Sequence, residues 1–179
     1  MKKIIIFVLI ATVFSSCKNL VPYTDSLQKQ HKWTADQLKN AQFYLSEDVT
    51  LERQLVKDMP DHISGKITVE NGVRKEVIFL QKKLPVVLID TTSTGAYTIQ
   101  CESGDGKTLN FKVNPSTGKF VLLATEWKNG YGKLHYNQEE YYVSTEQATA
   151  HLLVDLRKLV NADNSFHRAT GVKVKTSTP

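Results

Sequence analysis

The chain has 179 residues, of which 23 are Lys or Arg and 18 are Asp or Glu, giving a formal net charge of +5 at pH 7. This length suits one domain and is enough to bury a hydrophobic core without disulfides or metals. No run of basic residues is longer than two, as in Lys82 and Lys83, which is too short for the concentrated positive patch of a nucleic-acid-binding protein. We therefore expect one globular domain that does not bind nucleic acid.

The first residues have the layout of a secretory signal peptide. Lys2 and Lys3 supply a short positive region, and residues 4–14 form an apolar run interrupted only by Thr12. This run is far shorter than the roughly 20 residues that a membrane-spanning helix needs. The pattern predicts export of the chain and not a spanning helix.

The segment ends in the four residues Phe14-Ser15-Ser16-Cys17. This motif resembles the lipobox of bacterial lipoproteins, with Phe14 where Leu is usual. In that family a dedicated peptidase cuts before the Cys, which then carries lipid. The resemblance implies a signal peptide over residues 1–16, lipidation at Cys17 and a lipidated tether over residues 17–24. The alternative is an ordinary signal peptide followed by a chance cysteine.

The same resemblance bears on location. Lipoproteins that Bacteroidota send to the cell surface often carry an acidic cluster directly after the lipidated Cys. Here Lys18 and Asn19 follow instead, and the first acid is Asp25. Similarity to such envelope lipoproteins implies an outer-membrane anchor that faces the periplasm, with surface exposure as the alternative. Acylation of Cys17 would leave Cys101 without a disulfide partner, and several acyl chains suffice for stable attachment.

Residues 25–44 are the best helical candidate in the chain. Thr34 and Gln37 have the spacing of a capping box, and Trp33 with Leu38 has the spacing of a hydrophobic staple. We expect one N-terminal helix that packs on a sheet.

From Val49 onward, apolar and polar residues alternate with the period of two that is typical of strands. Short turn signals separate these runs, and Asn71-Gly72 is the strongest hairpin signal among them. The pattern predicts a mainly β fold, an antiparallel β-sandwich or barrel-like domain, over residues 25–160.

The last part of the chain is less clear. Residues 145–160 fit either a helix or a closing strand, and we favour a strand near residues 151–157. The polar residues 161–179 are expected to form a C-terminal tail.

Two residues could carry catalysis. Asp90 follows three apolar residues in a segment similar to the catalytic strand of aspartic proteases, but Thr92 stands where that family requires Gly. An Asp that opens a turn is the simpler interpretation. Cys101 could act as a thiol nucleophile, yet it lies on the apolar side of its strand and is more simply a buried structural Cys. We expect no catalytic residue.

The five histidines are scattered, with none three or four residues from another. Because local metal sites need closely spaced ligands, we expect neither a metal nor a cofactor. Aromatic residues are better candidates for function. Trp127 and Tyr131 flank a glycine turn and are the expected interface residues.

These observations predict a non-enzymatic structural or docking subunit of an envelope complex, for example of a secretion system. Its partners would be envelope proteins, and the membrane would be reached through Cys17. A binding module for a small ligand, lipid or peptide is one alternative. A hydrolase that uses Asp90 or Cys101 is the other.

Overall fold

The computed structural model describes residues 19–55 and 63–159. The expected signal peptide, Cys17 and the polar tail over residues 161–179 lie outside these ranges. Two short helices are present, α1 (Asp25–His31) and α2 (Ala35–Lys39). The strands follow in chain order: β1 (Leu20–Pro22), β2 (Gln42–Leu45), β3 (Val49–Gln54), β4 (Lys66–Glu70), β5 (Val73–Leu80), β6 (Pro85–Thr91), β7 (Tyr97–Gln100), β8 (Thr108–Val113), β9 (Phe120–Leu122), β10 (Glu126–Lys128), β11 (Tyr131–Tyr136), β12 (Glu139–Ser144) and β13 (Leu152–Asp155).

Seven strands form one antiparallel sheet in the order β1-β13-β2-β6-β7-β8-β9. The two ends of this sheet are joined by hydrogen bonds. The backbone N–H of Phe120 donates to the carbonyl of Tyr23 (3.3 Å), and that of Leu122 donates to the carbonyl of Ala150 (2.8 Å). Phe120 and Leu122 belong to β9 at one end of the sheet, whereas Tyr23 follows β1 and Ala150 precedes β13 at the other end. The sheet therefore closes on itself in a barrel-like manner.

The other six strands form a second antiparallel sheet in the order β10-β11-β12-β3-β5-β4. The core contains residues from both sheets and from α2, and its largest fully buried side chains are Tyr23, Tyr136, Tyr141, Phe43, Phe111 and Phe120. The expected mainly β, antiparallel, sandwich-like architecture is confirmed. Within the described ranges no helix is long and apolar enough to cross a membrane.

The expected single helix over residues 25–44 is wrong. The chain breaks it at Lys32, whose φ of 52° lies in the left-handed region, and α2 ends at Lys39. The capping box is confirmed: the N–H of Thr34 donates to Oε1 of Gln37 (2.7 Å), and the N–H of Gln37 donates to Oγ1 of Thr34 (3.3 Å). Gln42–Leu45 is a strand between β13 and β6, since pairing on both edges outweighs a local helical spacing.

Strand pairing and burial begin before residue 25, within the segment expected to be a tether. Leu20–Pro22 pairs with β13, and the Tyr23 side chain is fully buried. Near the other end, the strand favoured near residues 151–157 is present as β13, which ends at Asp155. A 3-10 turn at Thr145–Gln147 precedes that strand, and a helical turn over residues 156–159 follows it.

The hairpin prediction is also confirmed. Asn71 and Gly72 join β4 to β5, with φ of 51° and 78°. Two consecutive positive φ values are the signature of a type I′ turn, whose twist matches that of paired strands.

Candidate functional site

The strongest candidate site is a groove on the outer face of the six-stranded sheet, with a volume of about 830 Å³. We call it the outer groove and define it by six of its lining residues: Glu52, Lys75, Tyr131, Lys133, Glu140 and Tyr142. They come from β3, β5, β11 and β12, which are neighbours in the sheet.

The alternation of each strand builds this surface. In β3, Leu51 and Arg53 are buried toward the other sheet, so Glu52 between them faces outward. Tyr142 is the direct cross-strand partner of Glu52, and Lys133 is the partner of Tyr142. Cross-strand partners lie on the same face, so the three side chains form one row across three strands.

Two tyrosines give the outer groove its apolar surface. Tyr131 is 54% exposed and Tyr142 is 43% exposed. In the register of β11 and β12, Tyr131 pairs with Ser144 and Tyr142 pairs with Lys133, which makes the tyrosines diagonal neighbours. Such neighbours lie about 7–8 Å apart. One partner side chain or chain segment could therefore contact both rings.

Ion pairs fix most of the charges of the outer groove. Lys133 Nζ lies 2.5 Å from a Glu140 oxygen, and the Tyr142 hydroxyl donates to the other Glu140 oxygen (2.7 Å). The hydrogen bond from Lys133 lowers the pKa of Glu140, and the same bond raises the pKa of Lys133. Both groups therefore keep their charge at neutral pH, which suits recognition of a charged partner and not proton transfer.

The groove is balanced in charge. Three acidic and three basic side chains of its outer face line it: Glu52, Glu126, Glu140, Lys75, Lys128 and Lys133. Lys75 Nζ contacts both Glu70 (2.6 Å) and Glu52 (3.4 Å), and its hydrogen bond to Glu70 raises its pKa. The groove therefore carries a pattern of alternating charges and no net charge of one sign.

A buried polar cluster lies beneath the outer groove. Arg53 Nε lies 2.5 Å from Glu76 Oε2, and Arg53 Nη1 lies 2.5 Å from Glu139 Oε2. The second Glu76 oxygen accepts hydrogen bonds from the N–H groups of Gly65 (2.6 Å) and Ser64. Burial alone would raise the pKa of Glu76, but the hydrogen bonds from Arg53, Gly65 and Ser64 outweigh it and lower that pKa.

The same cluster includes Tyr141, whose ring centroid lies 5.3 Å from Arg53 Cζ in a cation–π contact. Burial raises the pKa of Tyr141, and the negative charge of Glu76 raises it further. The cluster joins β3, β5 and β12 and so holds the outer groove in shape.

The two expected interface residues do not form one patch. Trp127 pairs with Gly132, whereas Tyr131 pairs with Lys128, so their side chains lie on opposite faces of the sheet. A Cβ added at Gly132 would lie 2.6 Å from the Trp127 ring, so this ring covers Gly132. Tyr131 belongs to the outer groove and Trp127 does not. Tyr142 was not predicted, although the alternation with buried Tyr141 is a signal that could have found it.

The two catalytic candidates lie elsewhere. Asp90 is exposed near the end of β6, and its Oδ1 accepts a hydrogen bond from the N–H of Thr91 (2.8 Å). Cys101 is buried, and burial raises the pKa of its thiol to about 12. Such a thiol is protonated at neutral pH and is a weak nucleophile. Among residues 19–55 and 63–159, no group of three or more His, Cys, Asp or Glu could hold a metal ion.

Comparison with protein-family models, with curated proteins and with solved structures finds no match to this chain.

Proposed function

We propose that this chain is a lipid-anchored protein of the bacterial envelope that acts as a non-enzymatic docking subunit, with the outer groove as its partner site. The observation that carries the proposal is the pair of exposed tyrosines, Tyr131 and Tyr142, held side by side among fixed charges. Tyrosine is enriched at protein interfaces because it offers a large rigid ring together with a hydroxyl group.

The charges argue for binding and against catalysis. General acid–base catalysis works best with a group whose pKa lies near the operating pH. In the outer groove, the contacts between Lys133 and Glu140 move the pKa of each group further from neutrality. A charge pattern of this kind favours selection of a complementary partner.

The fold limits the distance between the proposed anchor at Cys17 and the domain. If Cys17 is acylated, only Lys18 and Asn19 separate it from Leu20, the first residue of β1. Three residue steps of extended chain span about 10 Å at most. The domain would therefore lie close to the outer membrane, on its periplasmic side, and would meet partners at that surface.

A binding module for a small ligand, lipid or peptide is the second candidate. The volume of the outer groove, about 830 Å³, falls within the usual size of ligand sites. Large aromatic side chains such as Phe43, Phe111 and Phe120 occupy the interior, which favours the outer groove over an internal ligand site. The many charged residues of the groove favour a peptide over an apolar molecule.

Affinity purification of the tagged full chain from its own crosslinked envelope tests the proposal. We expect envelope proteins to co-purify in stoichiometric amounts, and less of them from a variant with both Tyr131→Ala and Tyr142→Ala. Phe79→Ala is the matched control, because Phe79 is an exposed aromatic on the same sheet whose side chain does not line the groove. Equal yields from the wild type and the double variant would overturn the proposal.

A Cys17→Ala variant tests the anchor separately. We expect it to leave the membrane fraction and to recover fewer partners, since docking at a surface depends on local concentration. A lone wild-type monomer that carries a small molecule would instead support the binding module. If Cys17→Ala stays in the membrane fraction, the proposed anchor is wrong.

A further inference from the structure

Among the residues that the structure describes, strand β4 is an open edge of the six-stranded sheet, with β5 on one side only. The carbonyl of Arg74 accepts a hydrogen bond from the N–H of Leu55 (2.9 Å), so the backbone of Arg74 faces β3. Val69 is the cross-strand partner of Arg74 and therefore directs its own backbone groups away from β5. Ile67, two residues earlier, does the same. This edge offers the N–H and C=O groups of both residues.

Among the described residues, this edge has neither a bulge nor a proline, and its charges are one Lys and one Glu. β4 pairs with β5 through five consecutive residue pairs. Val69 is 70% exposed, and Ile67 is also exposed. Soluble proteins normally interrupt, twist or cover such an edge, because it is a template for pairing with another strand. A regular edge whose two charges can be paired by another strand therefore points to an occupant.

We propose that the occupant is a second copy of this chain, whose β4 pairs antiparallel with this one across a two-fold axis at Thr68. The strand reads Lys-Ile-Thr-Val-Glu, and in this register it is complementary to itself. Lys66 lies opposite Glu70 of the partner subunit, and Ile67 lies opposite Val69 of the partner subunit. Thr68 lies opposite Thr68 of the partner subunit. Opposite charges and paired threonines are both favourable cross-strand neighbours.

The register agrees with the backbone directions. Ile67 and Val69 both point their backbone groups outward, so their pairs are the hydrogen-bonded ones. The backbone N–H and C=O groups of Thr68 point toward β5. The two Thr68 residues therefore form the closely spaced, non-hydrogen-bonded pair on the two-fold axis. The apolar pairs fall on one face of the joined sheet, and the charged and threonine pairs fall on the other. The result is an isologous contact that joins two six-stranded sheets into one.

The local charges also fit. Lys75 Nζ is shared between Glu70 (2.6 Å) and Glu52 (3.4 Å), so one positive charge serves two carboxylates. Lys66 makes no ion pair within the part of the chain that the structure describes. Lys66 of the partner subunit would supply the missing positive charge at Glu70, and the symmetry provides this contact twice.

One strand pair buries less area than the roughly 1,200–2,000 Å² of a standard stable interface. The dimer is therefore weak in solution and becomes populated where the chain is concentrated, as it would be on a membrane. The inference does not depend on the outer groove or on any partner bound there.

A cysteine at the axis tests the pairing in the full-length chain in its native membrane. Non-hydrogen-bonded antiparallel partners have Cα atoms about 4.5 Å apart, within the range that a disulfide can bridge. We expect Thr68→Cys to form a disulfide-linked homodimer under mild oxidation, at least about tenfold more than Val73→Cys. Val73 is an exposed residue of the same hairpin, outside the proposed contact. The wild type reports any background from Cys17 and Cys101.

The register gives a sharper control. Lys66→Cys and Glu70→Cys should each crosslink poorly alone and should crosslink to each other when the two variants are expressed together. Equal homodimer yields from Thr68→Cys and Val73→Cys would overturn the proposal. Crosslinking of Thr68→Cys to a different protein would also overturn it and would assign the edge to a foreign strand.

Charge exchange provides an independent measurement. In the Thr68→Cys background, Lys66→Glu places like charges opposite each other twice, and we expect about a tenfold loss of dimer. Glu70→Lys should do the same, and the double exchange should restore the yield. Loss in both single variants without recovery in the double variant would contradict the register.

Discussion

Arg53 and Glu76 lie directly opposite each other on β3 and β5, with the guanidinium Nε 2.5 Å from the carboxylate Oε2. Arg53 is 7% exposed and Glu76 is fully buried. Each charge is compensated by the other and by further contacts: Arg53 also reaches Glu139, and Glu76 also binds the N–H groups of Ser64 and Gly65. This pair links the segment before β4 to the strands under the outer groove.

Glu76→Gln should therefore destabilise the fold. The change leaves the buried Arg53 with a weaker partner, and breaking a buried pair costs about 3 kcal/mol in the free energy of unfolding. Urea denaturation of the purified chain measures this. The control is Glu126→Gln, at an exposed site, for which we expect a change within about 0.5 kcal/mol. Equal stability of the two variants would show that the pair is not structural.

The same carboxylate predicts a pH dependence. The folded state lowers the pKa of Glu76 below its ordinary value of 4.5, because hydrogen bonds to its charged form outweigh burial. Its contribution to stability is thus complete above about pH 4.5 and is lost as the pH falls toward the folded pKa. In that window the unfolded chain binds more protons, so stability rises with pH.

Unfolding curves across this window, for the wild type and for Glu76→Gln, isolate the effect. We expect the free energy of unfolding of the Glu76→Gln variant to depend less steeply on pH than that of the wild type. Glu140→Gln serves as the comparison, because that carboxylate is exposed to solvent and its pair with Lys133 is screened. If Glu76→Gln and Glu140→Gln flatten the slope equally, burial of Glu76 is not the cause.

Cys101 should react slowly with alkylating reagents while the protein is folded. Burial raises the pKa of its thiol from 9.0 to about 12, which corresponds to about a thousandfold less thiolate at neutral pH. Iodoacetamide labelling followed by mass spectrometry, in buffer and in urea, should show a large acceleration on unfolding. Fast labelling of the folded chain would contradict this prediction and would make Cys101 a candidate nucleophile.

Local patterns predicted local features of this fold. The capping box at Thr34 and the hairpin at Asn71-Gly72 each depend on a few adjacent residues, and both are present. The helix expected to continue through Tyr44 failed because a short apolar segment can suit a helix or a strand. Pairing with β13 and β6, both distant in sequence, decided the outcome.

The outer groove also depends on contacts between strands that are far apart in sequence. Glu52 and Tyr142 become neighbours only because β3 pairs with β12, and a sequence pattern read along one segment does not report that pairing. Arg53 and Glu76 are 23 residues apart and were not predicted to meet. Tyr131 was predicted as an interface residue from its type and its turn, but its separation from Trp127 by the sheet follows only from the register.

Gly132→Ala should disturb the end of the six-stranded sheet that β10 and β11 form. The added Cβ would lie 2.6 Å from Cζ3 of Trp127 and 2.9 Å from the Cβ of Ala124, so the indole ring must move. Overpacking of this kind costs about 1–3 kcal/mol in the free energy of unfolding. Near-ultraviolet circular dichroism should report the displaced ring. In a Trp127→Ala background, the same glycine change should cost less, and an undiminished cost would place the strain elsewhere.

Trp127 should contribute to stability and Tyr131 to partner binding, since the two side chains lie on opposite faces of the sheet. Tyr131→Ala removes an exposed ring from the outer groove, so we expect stability within about 0.5 kcal/mol of the wild type and a lower yield of co-purified envelope proteins. Trp127→Ala uncovers Gly132 and should cost about 1–2 kcal/mol of stability, with the partner yield unchanged. Urea denaturation and crosslinked affinity purification of both variants give the two readings. The reverse result, a partner loss caused by Trp127→Ala alone, would move the docking surface to the other face of the sheet.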